Sequence, residues 1–446
     1  TRAGPKTVTA RIRVDEALLE LPQHPTVTFV PSAAAKLVFA IPPSAAQAGV
    51  ALEPAVQVQV QDAHGNVVTG DAADVVLELG GGAEGARLGG TTRRATVAGV
   101  AKFDDLKIDR AAKGYTLTAS AGALEKVTSA PFDVTVGAPA RLRFEVQPSD
   151  AVAGAPLTPA VELVLEDAEG NRVESANTAV TVALAENPGG ATLGGTVRVA
   201  AVAGVVRLGD LFLDKAASGY RLAATAPGYA GATSAAFDVS PATPARTSTS
   251  LTAAPLTLVA NGVETTSLEA RVHDAFGNPV PGVTVTFSAS GSGNRFTPAQ
   301  ASGTTGRDGT VQAALASSTA ESKVLTANVG GLFDAQTTVQ FVPGALDATT
   351  STFTAAPASV VADGVASSTL TFVARDAFGN AIAGVPVALS SSGTGDTFTP
   401  ASGATDGSGT FIATVASTRA ELKTLTATTP GRSLTAQVTF TAGVPV

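Results

Sequence analysis

The stretch Asp62-Ala63-His64-Gly65-Asn66 carries a five-residue pattern, Asp-Ala-x-Gly-Asn, that occurs four times in the chain. The copies begin at residues 62, 167, 274 and 376, so successive copies start 105, 107 and 102 residues apart. A polar turn that returns at the length of one small domain indicates a tandem array. The chain of 446 residues is also too long for one hydrophobic core and has the length of about three or four domains.

The composition favours β-structure and excludes several classes of function. Charged residues make up only 15% of the chain, while Thr, Ser, Gly, Pro and Val are frequent, a mixture that suits half-buried strands joined by turns. The absence of cysteine excludes disulfides, thiolate chemistry and cysteine-based metal sites. The net charge of −8 is not concentrated in any run, so nothing indicates a nucleic-acid partner. No apolar run has the length of a membrane span.

Local patterns predict strands throughout. Apolar and polar residues alternate strictly at residues 56–61 and more loosely at 161–165 and 369–373. Turn signals such as Asn-Gly, Asp-Gly and Gly-Asn arrive about every 8–12 residues. Roughly seven short strands in about 100 residues, without a helical stripe, is typical of a β-sandwich. The sequence therefore predicts an all-β protein of tandem immunoglobulin-like β-sandwiches arranged end to end.

Internal similarity indicates where the domains lie. Residues 1–10 match residues 418–427 at an offset of 417, and residues 27–29 match 438–440 at an offset of 411, with six extra residues around 15–22. Residues 1–34 are therefore expected to be the C-terminal strands of an incomplete domain. Two sister units follow at residues 35–138 and 139–244, and two units of a second kind at residues 245–344 and 345–446. Short proline-bearing linkers between them predict limited interdomain freedom.

The last two units resemble the group 1 bacterial immunoglobulin-like domain of the invasin and intimin adhesins. The resemblance rests on Asn261-Gly262 and its counterpart Asp363-Gly364, on the Asp-Ala-Phe-Gly-Asn turn, on Thr-x-x-x-Gly-Thr before a strand, and on a closing Thr-Val-x-Phe-type strand. It covers residues 245–446 and, as a remnant, 1–31. Residues 35–244 share only the turn and the domain length, so they are similar to a related bacterial Ig-like type. The resemblance implies a two-sheet sandwich on an exported surface protein, and no particular ligand.

The repeated turn has a structural and a metal-binding interpretation. In the first, the aspartate caps its own turn and Gly-Asn supplies the positive φ. In the second, the carboxylate and amide bind calcium, but the stretch lacks the alternating ligands of a calcium loop. Calcium in the linkers is also disfavoured, because Asp347 is the only carboxylate there. We therefore predict a structural turn.

Other candidate residues also favour structural roles. Tyr115 and Tyr220 each follow an aspartate by six residues and resemble a tyrosine corner. His24, His64 and His273 are too scattered for a repeated metal or catalytic site. Intramolecular Lys–Asn cross-links of surface domains need a buried Lys, Asn and acid together, which the sequence does not show. We predict no catalytic, cofactor-binding or metal site, no cofactor and no enzyme activity.

These patterns predict a stalk or spacer segment of a secreted or surface-anchored bacterial adhesin-like protein, at an extracellular or cell-surface location. Its expected partners are the neighbouring Ig-like domains and an unidentified surface ligand; nucleic acid is not expected, and the segment does not span a membrane. The alternative is the repeating subunit of an extracellular fibre, in which another copy completes residues 1–34 by strand addition. Truncation of a longer chain is the other explanation for that partial domain.

Overall fold

Alternating side chains form the strands, as residues 56–61 show most clearly. The strand Val56–Asp62 buries Val56, Val58 and Val60 and leaves the glutamines between them only partly covered. Successive side chains of a strand point to opposite faces, so this pattern places the valines in a core. The computed structural model describes residues 2–70 and 72–444. Thr1, the first residue of the predicted internal match, lies outside the described residues.

The chain divides into two units, residues 1–240 and 241–446, and each is described by itself. The first unit opens with β1 (Gly4–Thr7), β2 (Arg11–Val14), β3 (Ala17–Glu20) and β4 (Thr26–Phe29). Strand β1 pairs with β4, and β2 forms a hairpin with β3.

A two-sheet sandwich follows, with the sheets β11-β7-β5 and β10-β8-β13-β15-β6, while β14 also pairs with β13 and β9 with β12. Its strands are β5 (Ala34–Ile41), β6 (Ala46–Gln47), β7 (Val56–Asp62), β8 (Asp74–Gly81), β9 (Leu88–Gly89), β10 (Arg93–Ala95), β11 (Val100–Phe103), β12 (Lys107–Ile108), β13 (Ala112–Ser120), β14 (Val127–Thr128) and β15 (Phe132–Thr135).

The next sandwich repeats this topology, with the sheets β16-β18-β22 and β17-β26-β24-β19-β21, while β25 pairs with β24 and β20 with β23. Its strands are β16 (Arg141–Val146), β17 (Ala151–Val152), β18 (Val161–Glu166), β19 (Ala179–Glu186), β20 (Leu193–Gly194), β21 (Arg198–Ala200), β22 (Val205–Leu208), β23 (Phe212–Leu213), β24 (Ala217–Thr225), β25 (Ala232–Thr233) and β26 (Phe237–Ser240).

The second unit starts with a sandwich of four strands, β27-β29-β33-β31, and five strands, β28-β35-β34-β30-β32. Its strands are β27 (Ser250–Ala254), β28 (Thr257–Val259), β29 (Thr266–Arg271), β30 (Thr284–Ala289), β31 (Asn294–Thr297), β32 (Ser302–Thr304), β33 (Thr310–Ser317), β34 (Ser322–Val329) and β35 (Phe333–Val342).

The last sandwich has the same plan, with sheets β36-β38-β42-β40 and β37-β44-β43-β39-β41. Its strands are β36 (Thr352–Ala356), β37 (Ser359–Val361), β38 (Ser367–Val373), β39 (Pro386–Ser391), β40 (Asp396–Thr399), β41 (Ser402–Ala404), β42 (Thr410–Ser417), β43 (Leu422–Thr429) and β44 (Arg432–Thr441). The all-β sandwich prediction is confirmed. Each sandwich has more strands than the seven expected, because several are only two or three residues long.

Four hydrophobic cores fill the sandwiches, and each core draws its residues from a single sandwich. The strands of residues 1–34 are different, because β2, β3 and β4 are exposed along their whole length. The pairing of β1 with β4 nevertheless matches that of β43 with β44. Lys6 lies opposite Val27 in β1–β4, just as Lys423 lies opposite Val438 in β43–β44. The hairpin β1–β4 thus has the register of the last hairpin of the chain.

The two predicted tyrosine corners are confirmed. Tyr115 and Tyr220 are fully buried, and their hydroxyls donate to the backbone carbonyl oxygens of Arg110, at 2.9 Å, and Lys215, at 2.8 Å. Each phenol therefore ties its strand to a carbonyl five residues upstream, and a ligand-stacking role is not needed to explain either ring.

Replacing Tyr115 or Tyr220 with phenylalanine should lower the free energy of unfolding of its sandwich by about 1–2 kcal/mol, because a backbone carbonyl loses its donor while the ring still fills the core. Denaturant unfolding of the full chain measures this. Tyr229→Phe is the matched control, since Tyr229 is only half-buried and its hydroxyl has a long contact of 3.4 Å with Thr178. A loss of equal size at Tyr229 would contradict the assignment.

Candidate functional site

The four Asp-Ala-x-Gly-Asn turns share one backbone geometry. In each turn the glycine N–H donates to the aspartate carbonyl, and the aspartate N–H donates to the asparagine carbonyl at 2.9–3.0 Å. The glycine has positive φ at every copy, between 78° and 92°. Only glycine adopts such values without strain, and this arrangement is that of a three-residue hairpin loop with a glycine bulge. The predicted structural turn is confirmed, with one correction: the glycine alone supplies the positive φ, and none of the four asparagines has it.

The aspartate side chain organises this loop from inside. In the second copy, Asp167 Oδ1 accepts the N–H of Glu169 at 3.0 Å and that of Asn171 at 2.8 Å. Its Oδ2 accepts the side-chain amide of Asn171 at 2.9 Å. The same bonds recur at the other three copies, from Asp62, Asp274 and Asp376. The carboxylate therefore fixes both the loop and the orientation of the asparagine amide.

The second carboxylate oxygen also holds the linker that enters the domain. Gly137 N–H donates to Asp167 Oδ2 at 2.8 Å, and Gly344 N–H donates to Asp376 Oδ2 at 2.9 Å. The other two copies bind their linkers in the same way, through Ser32 N–H at 3.0 Å and Ala242 N–H at 2.8 Å. All four linkers are thereby anchored to the domain that follows them.

The asparagine side chain reaches the domain that precedes it. Asn171 accepts the N–H of Ala111 at 3.0 Å and donates to the carbonyl of Asp109 at 2.9 Å. Asn380 does the same, with the N–H of Ala320 at 2.9 Å and the carbonyl of Ser318 at 3.0 Å. One planar amide thus bonds to two backbone groups, two residues apart, on the neighbouring domain. We call the aspartate, the asparagine and these partners the interdomain clamp.

The first copy of the clamp contacts residues 1–34. Asn66 Oδ1 accepts the N–H of Ala3 at 2.7 Å. Ala3 corresponds to Ala420 in the internal match, and Ala420 occupies in the last sandwich the position of Ala320 in the one before. Residues 1–34 therefore offer to the next domain the same backbone group that residues 245–344 offer to theirs.

The electrostatics of the clamp favour the ionised carboxylate. The pKa of Asp62 is lowered, mainly by the side-chain amide of Asn66. Burial raises the pKa of Asp167, but the hydrogen bonds from Gly137 and Asn171 outweigh burial, and the net shift is downward. The same balance lowers the pKa at the remaining two copies, Asp274 and Asp376.

Acidification should therefore weaken the clamp. Because the folded pKa lies below the unfolded value of about 3.9, the stabilisation is complete above that value and is lost as the pH falls through the folded pKa. We expect stability to stay level from pH 7 to about pH 4 and then to fall. Thermal unfolding of the wild type between pH 7 and pH 2 measures this. A chain in which Asp167 and Asp376 are both asparagine should show a shallower decline, and an identical decline would contradict the assignment.

The calcium interpretation finds no support in the geometry. Both carboxylate oxygens of each clamp aspartate already accept N–H donors, which leaves little capacity for a cation. Asp347, the linker carboxylate, accepts the N–H groups of Thr349 and Thr350. Within residues 2–70 and 72–444, no three His, Cys, Asp or Glu side chains form a group that could hold a metal ion. His24 and His64 are exposed and His273 is half-buried.

In the described part of the chain, no helix has the length and apolarity needed to cross a membrane.

The interdomain role of the asparagine was missed from the sequence. The sequence assigned this asparagine to the positive φ of the turn, but the glycine alone has it, and the chain nevertheless keeps Asn at the fifth position in all four copies. That repetition was the available signal. The partner groups lie about 60 residues upstream, and nothing in the local sequence identifies them.

Comparisons with known proteins agree with this architecture. Residues 248–342 and 350–441 match the family model of the bacterial Ig-like domain (group 1). The resemblance predicted for residues 245–446 is confirmed. Over 184 residues the chain is 35% identical to the inverse autotransporter adhesin YeeJ of Escherichia coli strain K12, a match that covers 40% of this chain and 8% of that protein.

Solved structures of bacterial proteins are also similar. Invasin, a bacterial integrin-binding protein, is 22% identical with a TM-score of 0.41, and the match covers 68% of this chain and 60% of invasin. InvD of Yersinia pseudotuberculosis is 28% identical with a TM-score of 0.36, and the match covers 45% of this chain and 59% of InvD.

Proposed function

We propose, from the premise that residues 248–342 and 350–441 are group 1 bacterial Ig-like domains, that the chain is a stalk or spacer segment of a bacterial surface adhesin. The homologues are bacterial adhesins and invasins, in agreement with the expected extracellular or cell-surface location. The matched adhesin is much longer than this chain, which covers 8% of it. Repeated Ig-like domains can act as a spacer without having a ligand site of their own.

The interdomain clamp is the observation that carries this proposal. A linker without contacts would let neighbouring domains reorient freely, since interdomain motion is the default for small polar interfaces. Here the aspartate fixes the linker to the following domain and the asparagine joins that domain to the preceding one. Repeated junctions of this kind limit bending, and limited bending is what a spacer requires.

We propose the same domain division that the sequence predicts: residues 1–34, 35–138, 139–244, 245–344 and 345–446. Its support is that each of the last four segments contains one hydrophobic core. We further propose that the segment has no enzyme activity and no cofactor, and that its partners are neighbouring Ig-like domains.

Residues 1–34 favour one further proposal, namely that additional strands cover them. Their exposed apolar side chains include Ile12, Leu18, Leu19 and Phe29, which are between 45% and 66% exposed. In the last sandwich, the hairpin of the same register pairs with β37 along one edge and with β39 along the other, and the opposite sheet completes the sandwich. We propose that strands of the same kind, supplied by the same protein molecule, cover residues 1–34. Supply by a second copy is the fibre alternative.

Rescue by unrelated domains tests the spacer role. The chain would be placed between a surface anchor and an epitope tag in a capsulated bacterium, and antibody access to the tag measured. Deleting residues 35–244 should reduce access, and inserting two unrelated Ig-like domains joined by an equally rigid junction should restore it. If the unrelated domains fail to restore access, the spacer proposal is wrong.

Sedimentation of the purified chain separates the two alternatives for residues 1–34. A monomer at all concentrations contradicts the fibre alternative. Concentration-dependent assembly that Phe29→Asp abolishes would favour the fibre.

A further inference from the structure

A fully buried lysine faces two carboxylates in the last sandwich. The Nζ of Lys423 lies 2.6 Å from Asp396 Oδ1 and 2.9 Å from Glu421 Oε1, and it donates to the carbonyl of Thr394 at 2.7 Å. The side chain of Lys423 has no exposed surface and that of Asp396 is 6% exposed. Lysine is almost never fully buried unless it is paired, so this group needs an explanation.

Lys423 and Asp396 come from opposite sheets of the sandwich. Lys423 lies on β43 of the five-stranded sheet and Asp396 begins β40 of the four-stranded sheet. Among the described residues, neither carboxylate oxygen of Asp396 has a hydrogen bond of good geometry. The contact with Nζ is the largest interaction of this buried carboxylate, which the hydroxyls of Ser391 and Ser417 also approach.

Glu421 is placed to take up a proton. Its Oε1 approaches Nζ beside Gly393. A Cβ on residue 393 would overlap both the Glu421 carboxylate and Nζ, so the absence of a side chain there leaves room for this contact. The ring of buried Phe440 lies on another side, with its centroid 5.9 Å from Nζ. Lys423 and Asp396 are thus enclosed, while the base, Glu421, reaches Nζ from the surface with 43% of its side chain exposed.

We propose that Lys423 and Asp396 form an intramolecular amide bond. Glu421 accepts a proton from the Lys423 ammonium group, and the free amine attacks Cγ of Asp396. The new bond joins Nζ to Cγ, and one C–O bond of Asp396 breaks. The departing oxygen leaves as water, with the proton that Glu421 held and a second one from the nitrogen. The net reaction converts an ammonium and a carboxylate into an amide and one water molecule, and it needs no oxidant or cofactor.

The fold supplies the driving force that the free side chains lack. Burial lowers the pKa of Lys423, but the interactions with Asp396 and Glu421 raise it by more, so the net shift is upward. Lys423 and Asp396 therefore rest as an ion pair, and a base has to remove a proton from Lys423 before its nitrogen can attack Asp396. Holding both groups in contact removes the entropic cost of bringing them together, an advantage equivalent to effective concentrations of about 10⁵–10⁸ M. The enclosed site also keeps water from reversing the reaction.

The preceding sandwich provides an internal comparison. Lys323 is equally buried and lies 2.6 Å from Glu321 Oε1, but Asn294 occupies the place of Asp396, opposite Ser317 as Asp396 is opposite Ser417. Asn294 Oδ1 is buried and has no hydrogen-bond partner among the described residues. The Asn294 amide donates instead to the carbonyls of Ser290 and Gly291, and no hydrogen bond joins it to Lys323 in the described part of the chain. This lysine, asparagine and acid therefore lack the contact that brings Lys423 to Asp396, and we expect no cross-link there.

Mass spectrometry of the denatured full chain tests the proposal. The expected mass is lower than that of the unmodified sequence by one water molecule. Fragmentation of a digest should place the loss on a branched peptide that joins Lys423 to Asp396, with Lys323 unmodified. An unmodified mass overturns the proposal, and so does a loss that maps to other residues.

Glu421→Gln is the informative variant, because it removes the base and leaves Lys423 paired with Asp396. We expect a folded chain with the unmodified mass, and circular dichroism checks the fold. Glu321→Gln at the other lysine is the matched control and should leave the water loss unchanged. A Glu421→Gln chain that still forms the cross-link contradicts the assigned role of Glu421.

Discussion

Replacing Asp376 with alanine should lower the free energy of unfolding of the last sandwich by about 3 kcal/mol, since a buried, charged acceptor of several partly buried N–H groups is lost. The carboxylate accepts the backbone N–H groups of Gly344, Phe378 and Asn380 and the side-chain amide of Asn380. Alanine leaves these donors without an acceptor. The measurement is denaturant unfolding of the full chain, followed by hydrogen exchange to locate the loss.

Asp363→Ala is the matched control for this prediction. Asp363 also accepts two backbone N–H groups, from Val365 and Ala366, but it is exposed and binds no linker. Water can replace its bonds, so the loss should be much smaller. Equal losses at Asp363 and Asp376 would mean that the clamp contributes no more than an ordinary turn.

Replacing Phe440 with alanine should lower the free energy of unfolding of the last sandwich by about 3–5 kcal/mol, because the ring is fully buried and its removal leaves a cavity. Phe440 is 2% exposed, whereas its counterpart Phe29 in β4 is 54% exposed. Phe29→Ala should therefore change the stability of this chain very little. Thermal and denaturant unfolding of the two single variants measure the difference.

The same pair of variants tests the proposal that further strands cover residues 1–34. In a longer form of the protein that includes strands N-terminal to this segment, Phe29→Ala should become destabilising, as Phe440→Ala is. If Phe29→Ala remains neutral there, residues 1–34 are not the end of an Ig-like sandwich, and their shared register with β43–β44 has another cause.

The sequence was sufficient for the fold because its signals are local. The alternation at residues 56–61 is the burial pattern of β7, and the tyrosine corner joins Tyr115 to the carbonyl of Arg110, only five residues upstream. The match of residues 1–10 to residues 418–427 reappears as a shared hairpin register. In each case the residues that interact are close in sequence or belong to a detectable repeat.

The interdomain clamp could not be derived in the same way. The Asp-Ala-x-Gly-Asn turn was recognised, but the groups that Asn171 and Asn380 bind are backbone N–H and C=O groups about 60 residues away. Every residue except proline has these backbone groups, whatever its side chain, so composition and spacing do not show which of them bind the asparagine. The site around Lys423 could not be predicted from the sequence for a related reason, because Asp396 lies on the opposite sheet and only the fold brings it to Lys423.

The most direct test of the clamp is the distribution of distances across the junction at residues 343–348. The chain has no cysteine, so Thr286→Cys and Ser390→Cys, both at exposed strand positions, allow two spin labels to be attached for pulsed dipolar spectroscopy. The clamp predicts a narrow distribution that broadens clearly when Asn380→Ala is added, with little change in domain stability. A distribution of unchanged width in the Asn380→Ala chain would contradict the claim that this asparagine holds neighbouring domains together.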